Sequence, residues 1–203
     1  AGTHGNELNA PLLFAQWLEN PTLVKTCNLT ISKEVGNPLA LKLKRRYIDT
    51  DLNRSFEPKN LLAEDFDKYE IKRAKELIGK YGPNGFNPCQ IAIDLHTTTS
   101  FMGGSLVIYG RRPADLALAS LIQFRLGLPI YLHEDDKSQT GFLVESWPCG
   151  LVIEIGPVPQ SLVDPSIVEK NRLILETCLE EISKVTTGNE TYPEKLVVHS
   201  HLG

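Results

Sequence analysis

His4, Glu7, His96 and Glu154 could meet around one metal ion and the bond it acts on. His4 and Glu7 lie in "GTHGNE" at residues 2–7. In a helix start or tight loop, positions three apart project to one side, so both side chains can reach a single ion. Imidazole and carboxylate are good zinc ligands, and catalytic zinc typically takes three protein ligands and keeps an open position. Gly2 and Gly5 let the backbone turn sharply and let a substrate approach. His96 supplies a third ligand at the carboxyl end of the apolar run Ile91, Ala92, Ile93 and Leu95, where α/β sheets place their sites. Asp94, two residues earlier, shares its strand face and could orient it from behind.

Glu154 is a lone carboxylate inside the apolar segment "LVIEIG". Burying it unpaired is costly, so it should be paired, near a metal, or raised in pKa as a general base requires. "RRYIDTDLNR" at 45–54 offers a cationic clamp. Guanidinium forks of Arg46 and Arg54 match carboxylates, the Asn53 amide adds directional donors, and Asp51 could hold an arginine in place. Each piece also has an ordinary reading: a polar loop for His4 and Glu7, a histidine bonded to the following threonines for His96, a solvated loop for 45–54, and a strand-edge carboxylate for Glu154. His199 and His201 form a further H-x-H near the end, read most simply as solvent-facing.

The elements that must position these groups follow from periodicity. Residues 7–19 fit an amphipathic helix with Pro11 in its first turn. Residues 27–35 alternate weakly, as a half-buried strand would. The stretch 36–60 is polar and turn-rich, and residues 64–80 return to a helical pattern. Strands are expected at 91–95, 104–109, 129–133 and 151–156, with helices over 113–126 and 164–184. Asp164 is the N-cap of the last helix and Pro165 its first residue. One more strand begins within 189–198. Strands alternating with helices give an α/β sandwich with a mixed, mostly parallel sheet.

Bulk properties narrow the partners. A length of 203 residues suits one domain with a sizeable core. Net charge of −4 offers no attraction for nucleic acid. No apolar run is long enough to span a membrane, and no signal peptide is visible. Cys27, Cys89, Cys149 and Cys178 form no CxxC pair and read as reduced thiols, so the expected compartment is the cytoplasm. A homo-oligomer is left open.

Together the motifs resemble one family. "GTHGNE", "NP" at 37–38, "RRYIDTDLNRSF", "DLHTTTS", "MG" at 102–103 and "EIGPVPQ" follow the order found in aspartoacylases and the related aminoacylase 3 enzymes. These belong to the succinylglutamate desuccinylase/aspartoacylase group and share the zinc-carboxypeptidase fold. The resemblance implies a zinc-carboxypeptidase-like three-layer sandwich over 1–188, with 189–203 as the start of a C-terminal β domain. It implies one zinc per chain on His4, Glu7 and His96, with Glu154 as the base that activates water and then protonates the leaving amine. Arg46 would polarise the amide carbonyl and stabilise the oxyanion, while Asn53 and Arg54 would grip a substrate carboxylate. The implied partner is a small-molecule N-acyl amino acid, N-acetyl-L-aspartate first. The alternatives are an aminoacylase of broader specificity and a non-catalytic zinc-binding module.

The chain departs from the family pattern in three ways. The substrate-reading arginine upstream of the catalytic glutamate has no counterpart in "KSQTGFLVESWPCG", where Lys137 is the only cation. Thr97 and Phe101 replace two asparagines and change the pocket's polarity. The family also has a strand before "GTHGNE" and a β-rich domain after residue 200. The 203 residues are therefore expected to be part of a longer chain, with an exposed pocket and weak activity alone.

Overall fold

The computed structural model describes residues 1–62, 67–134 and 139–200. Its helices are α1 (Asn9–Glu19), α2 (Pro38–Leu43), α3 (Pro58–Leu62), α4 (Tyr69–Tyr81), α5 (Pro113–Leu126) and α6 (Pro165–Thr187). Its strands are β1 (Ile91–Thr97), β2 (Ser105–Tyr109), β3 (Ile130–His133), β4 (Cys149–Ile155) and β5 (Val198–Ser200). They form one sheet in the order β1-β4-β2-β3-β5. β1–β4, β2–β3 and β3–β5 are parallel, and β2–β4 is antiparallel. The architecture is the zinc-carboxypeptidase-like α/β sandwich with a mixed, mostly parallel sheet.

The period-two alternation of the strands decides which layer does what. Leu95, Leu106, Ile108, Leu151, Ile153 and Ile155 point to one face and pack in the main core with Ala10 and Leu13 of α1, Leu118 and Ile122 of α5, and Ile174 and Leu175 of α6. The other side chains of the same strands point the opposite way. There Ala92, Tyr109 and Val152 meet two smaller apolar clusters that include Leu52, Phe56, Phe142, Trp147 and, from α4, Ala74 and Leu77. Asp94 and His96 of β1 and Glu154 of β4 share this second face, so the residues that could do chemistry stand away from the main core.

Local chemistry explains the helix ends. The Asp164 side chain accepts from the Ser166 amide, Pro165 opens α6, and Gly188 closes it in the left-handed conformation. The sequence pattern located the strands and the long helices to within a few residues. The expected helix 64–80 begins at Tyr69, and residues 64–66 lie outside the described residues, as do Lys137 and His201.

Two expectations need correction. Residues 27–35 are not a strand. Cys27 and Asn28 take positive φ and turn the chain. Beyond them the extended backbone pairs only at its end, where the Ala1 amine donates to the Glu34 carbonyl at 3.2 Å, the Gly36 amide to the Ala1 carbonyl at 2.8 Å and the Asn37 amide to the Gly2 carbonyl at 2.9 Å, and residues 27–33 gain no strand partner. The weak alternation survives as packing, since Leu29 and Ile31 still rest on the main core. The polar stretch 36–60 is also more ordered than its composition suggests. Asn37 caps α2 with its side chain, Pro38 is its first residue, and Leu52 and Phe56 are buried. Helices of five or six residues are too short to show a period.

Candidate active site

A tight turn carries the first two site residues, closed by the Glu7 amide donating to the His4 carbonyl at 3.2 Å. It rests directly on α2: a Cβ added at Gly5 would lie 2.1 Å from the Ala40 carbonyl carbon, so only glycine fits. The Gly5 amide also donates to the Arg46 carbonyl at 3.2 Å, tying this turn to the loop that bears Arg46.

The turn brings His4 and Glu7 against His96, all three buried. The Glu7 carboxylate sits between the rings, with Oε1 2.6 Å from His4 Nδ1 and Oε2 3.1 Å from His96 Nδ1. It also accepts from the Thr97 amide at 2.8 Å. Each histidine hands its other nitrogen to an aspartate. His4 Nε2 lies 3.0 Å from Asp51 Oδ1, and His96 Nε2 lies 2.7 Å from Asp94 Oδ2. The Thr3 hydroxyl fixes Asp94 in turn.

The charges respond to this packing. Burial would raise the Glu7 pKa, but His96 and His4 beside it win and hold it near 2. Burial likewise works against the charged forms of both histidines. Asp94 and Glu7 nevertheless push His96 well above the usual histidine range, and Asp51 and Glu7 raise His4.

The donor set fits a divalent zinc ion. One ligand atom from each of His4, Glu7 and His96 falls within 4.8 Å of the others. Two imidazoles and a carboxylate are a known set for catalytic zinc with one position left open. Both rings turn Nδ1 toward the common centre while an aspartate fixes Nε2, the backing that metal-ligating histidines usually have.

Asp51 is shared more widely than its sequence context suggests. Besides His4 it accepts from Arg46 Nη2 at 3.0 Å and from the Asn53 amide at 2.9 Å. Arg46 is half exposed, and its Nη1 lies 4.0 Å from Glu7, so its guanidinium borders the His–Glu–His cluster. Asn53 is buried, its Oδ1 accepting from the Leu143 amide at 2.9 Å. Arg54 donates to the Asn53 carbonyl at 2.8 Å and to Gln139 Oε1 at 2.6 Å, with its guanidinium 4.1 Å above the Phe142 ring.

Glu154 pairs in register with His96 across β1 and β4. Side chains in register on neighbouring strands share a face, which puts this carboxylate beside the cluster. It is half-buried, and burial raises its pKa above the usual carboxylate range. On the same face, four residues along β2 from the Ser105 that pairs with Glu154, Tyr109 stacks on Phe142 with ring centroids 3.8 Å apart. Burial raises its phenol pKa, while nearby Arg54 and a hydrogen bond from Asn53 pull the other way.

Sequence reasoning passed over Thr3, Tyr109 and Phe142. Tyr109 carried a usable signal, since it falls in phase with Glu154 and His96 once the strands are paired. Thr3 and Phe142 carried none, because their roles depend on loops whose paths no local pattern specifies.

The layered mixed sheet, with its buried His–Glu–His cluster at one end of β1, defines a protein of the zinc-carboxypeptidase-like fold. The chain belongs to the succinylglutamate desuccinylase/aspartoacylase catalytic-domain family, whose profile matches residues 1–182. It is 60% identical over 202 residues to a "Probable aspartoacylase" of Prochlorococcus marinus, covering 100% of this chain and 66% of that protein. A "Probable aspartoacylase" of Synechococcus sp. is 58% identical over 203 residues, with the same coverage. The crystal structure of murine aminoacylase 3 superposes with a TM-score of 0.82 at 30% identity, covering 92% of this chain and 64% of that one. The chain thus spans about two thirds of the length of the curated relatives it matches.

Proposed function

We propose that the protein is a zinc-dependent amidohydrolase that deacylates an N-acyl amino acid, with N-acetyl-L-aspartate, giving acetate and L-aspartate, as the first substrate to test. The observation that carries this reading is the convergence of His4, Glu7 and His96 with both imidazoles backed by aspartates. These three residues hold the metal. When bound, zinc supplies Lewis acidity toward a carbonyl oxygen and lowers the pKa of a water.

The chain's own groups do the rest. Glu154 takes the proton from the attacking water and later delivers it to the amine nitrogen as the C–N bond breaks. Burial raises its pKa, the direction that a group both taking and returning a proton needs. Arg46, tethered by Asp51 beside the cluster, faces the negative charge that develops on the carbonyl oxygen. Asn53 and Arg54 bind the substrate carboxylate, Arg54 by its fork.

A second reading, an aminoacylase of broader specificity, is favoured by the apolar surroundings of Arg54, which rests on Phe142 with Tyr109 behind. A panel of N-acetyl amino acids separates the two by kcat/KM. Among the described residues, no helix is long and apolar enough to cross a membrane. We further propose that the enzyme acts on a small molecule in the cytoplasm.

The deciding experiment is Glu154→Gln. Loss of turnover with zinc retained supports the enzyme. Unchanged turnover refutes the assigned base, and a protein that holds no zinc refutes the whole reading. A non-catalytic zinc-binding module would show no turnover to lose.

A further inference from the structure

Glu70 lies in the first turn of α4 and is completely buried, yet it has no part in the catalytic assignment above. Its carboxylate accepts four hydrogen bonds, and the donors come from two separate pieces of the site. Oε1 receives the Ile48 amide at 2.6 Å and Asn37 Nδ2 at 2.9 Å. Oε2 receives the Asp49 amide at 3.0 Å and the Thr50 amide at 3.1 Å. Asp49 returns the contact, its Oδ2 accepting from the Tyr69 amide at 2.7 Å.

The three amides belong to the loop between Arg46 and Asp51. Three consecutive amides aimed at one carboxylate fix that loop's path. Asn37 leads to the other piece. It caps α2 through the Ala40 amide, and Ala40 is the backbone against which Gly5 is pressed, next to His4. One carboxylate therefore joins the shelf under the His4 turn to the loop whose Asp51 grips His4 from the opposite ring nitrogen.

We propose that Glu70 is a positioning residue for the metal centre: by clamping residues 48–50 and Asn37 together it sets His4, Asp51 and Arg46 relative to one another. An acid in the first turn of a helix ordinarily complements the helix dipole from the surface. Glu70 is turned inward instead, and its hydrogen-bonding capacity is spent on the site's supports. The inference rests on the zinc reading above.

The test is zinc affinity by chelator competition, measured on the full protein for wild type, Glu70→Gln, Asp51→Asn and the double variant. Glutamine keeps the size but turns an NH2 toward groups that can only donate. Glu70→Gln is expected to weaken zinc binding about tenfold, the scale seen when outer supports of a metal site are lost. Added to Asp51→Asn, it should cost little more, because both act through His4. Wild-type affinity in folded Glu70→Gln, or losses that simply multiply, overturns the inference while leaving the zinc reading intact. A wild-type protein that binds no zinc overturns both. If Glu70→Gln fails to fold, amide hydrogen exchange of wild type decides: zinc should slow exchange at Ile48, Asp49 and Thr50, and rates indifferent to zinc overturn the proposal.

Discussion

His96 donates from Nε2 to Asp94 at 2.7 Å, which leaves Nδ1 as the nitrogen facing Glu7. The pair fixes the ring's orientation before any metal arrives. Asp94→Asn should weaken zinc binding by about 10- to 100-fold with the fold intact. Chelator competition with circular dichroism checks this, and an unchanged zinc affinity would show that the ring needs no backing.

Under the zinc reading, metal binding must displace protons. His96 and His4 are both raised above the usual histidine range by their carboxylate neighbours, and metal ligation needs them neutral. Binding near pH 7 should therefore release protons, read by calorimetry in buffers of different ionisation enthalpy. The same shifts predict the metal-free protein's stability. A raised pKa stabilises the fold below the unfolded value of about 6.5, and that contribution is lost as pH climbs through the folded value. Metal-free melting temperatures should fall over this window, whereas those of the zinc-loaded protein should not.

Glu154 moves in the opposite chemical sense. Its raised pKa means the carboxylate, the form able to take a proton, appears only at higher pH than for an ordinary glutamate near about 4.3. The acid limb of kcat/KM should accordingly lie above that value, with activity rising as pH rises through it. A limb at the ordinary value would remove Glu154 from the role.

The two arginines should separate kinetically. Arg46→Ala is expected to lower kcat by about 10²–10³-fold, the usual cost of losing a group that stabilises developing charge. Arg54→Ala should act mainly on KM, since a substrate carboxylate is bound equally before and during reaction. Equal effects on both parameters from both variants would contradict the division of labour.

Gly5→Ala tests the shelf beneath His4. The added methyl meets the α2 backbone 2.1 Å from the Ala40 carbonyl carbon, which cannot swing aside as a side chain would. A loss of about 3 kcal/mol, near the upper end for overpacking, is expected in denaturant unfolding, together with weaker zinc binding.

Much of the fold was legible because its elements obey local rules. β4 reads as Leu151, Ile153 and Ile155 in alternation, and α6 announces itself through Asp164 and Pro165. The candidate site was legible as a set of residue types, since His4, Glu7, His96 and Glu154 are ordinary singly and suggest a metal site only together. Their supports were not. Glu70 looks like any acid in a first helical turn, and its four donors lie 20 to 33 residues away in the chain. Residues 27–35 misled for the complementary reason: alternation reports which side chains are buried, and a strand also needs a neighbour to pair with.

Under the proposed mechanism, the in-register pairing of His96 with Glu154 would make strand alignment itself a determinant of activity. Sliding β4 by one residue would send Glu154 into the oily layer and bring Ile153 or Ile155 to the metal's side. The penalty for burying that carboxylate discourages the misalignment during folding. Under the proposed mechanism one side chain would then serve two ends, the proton transfer and the choice of register.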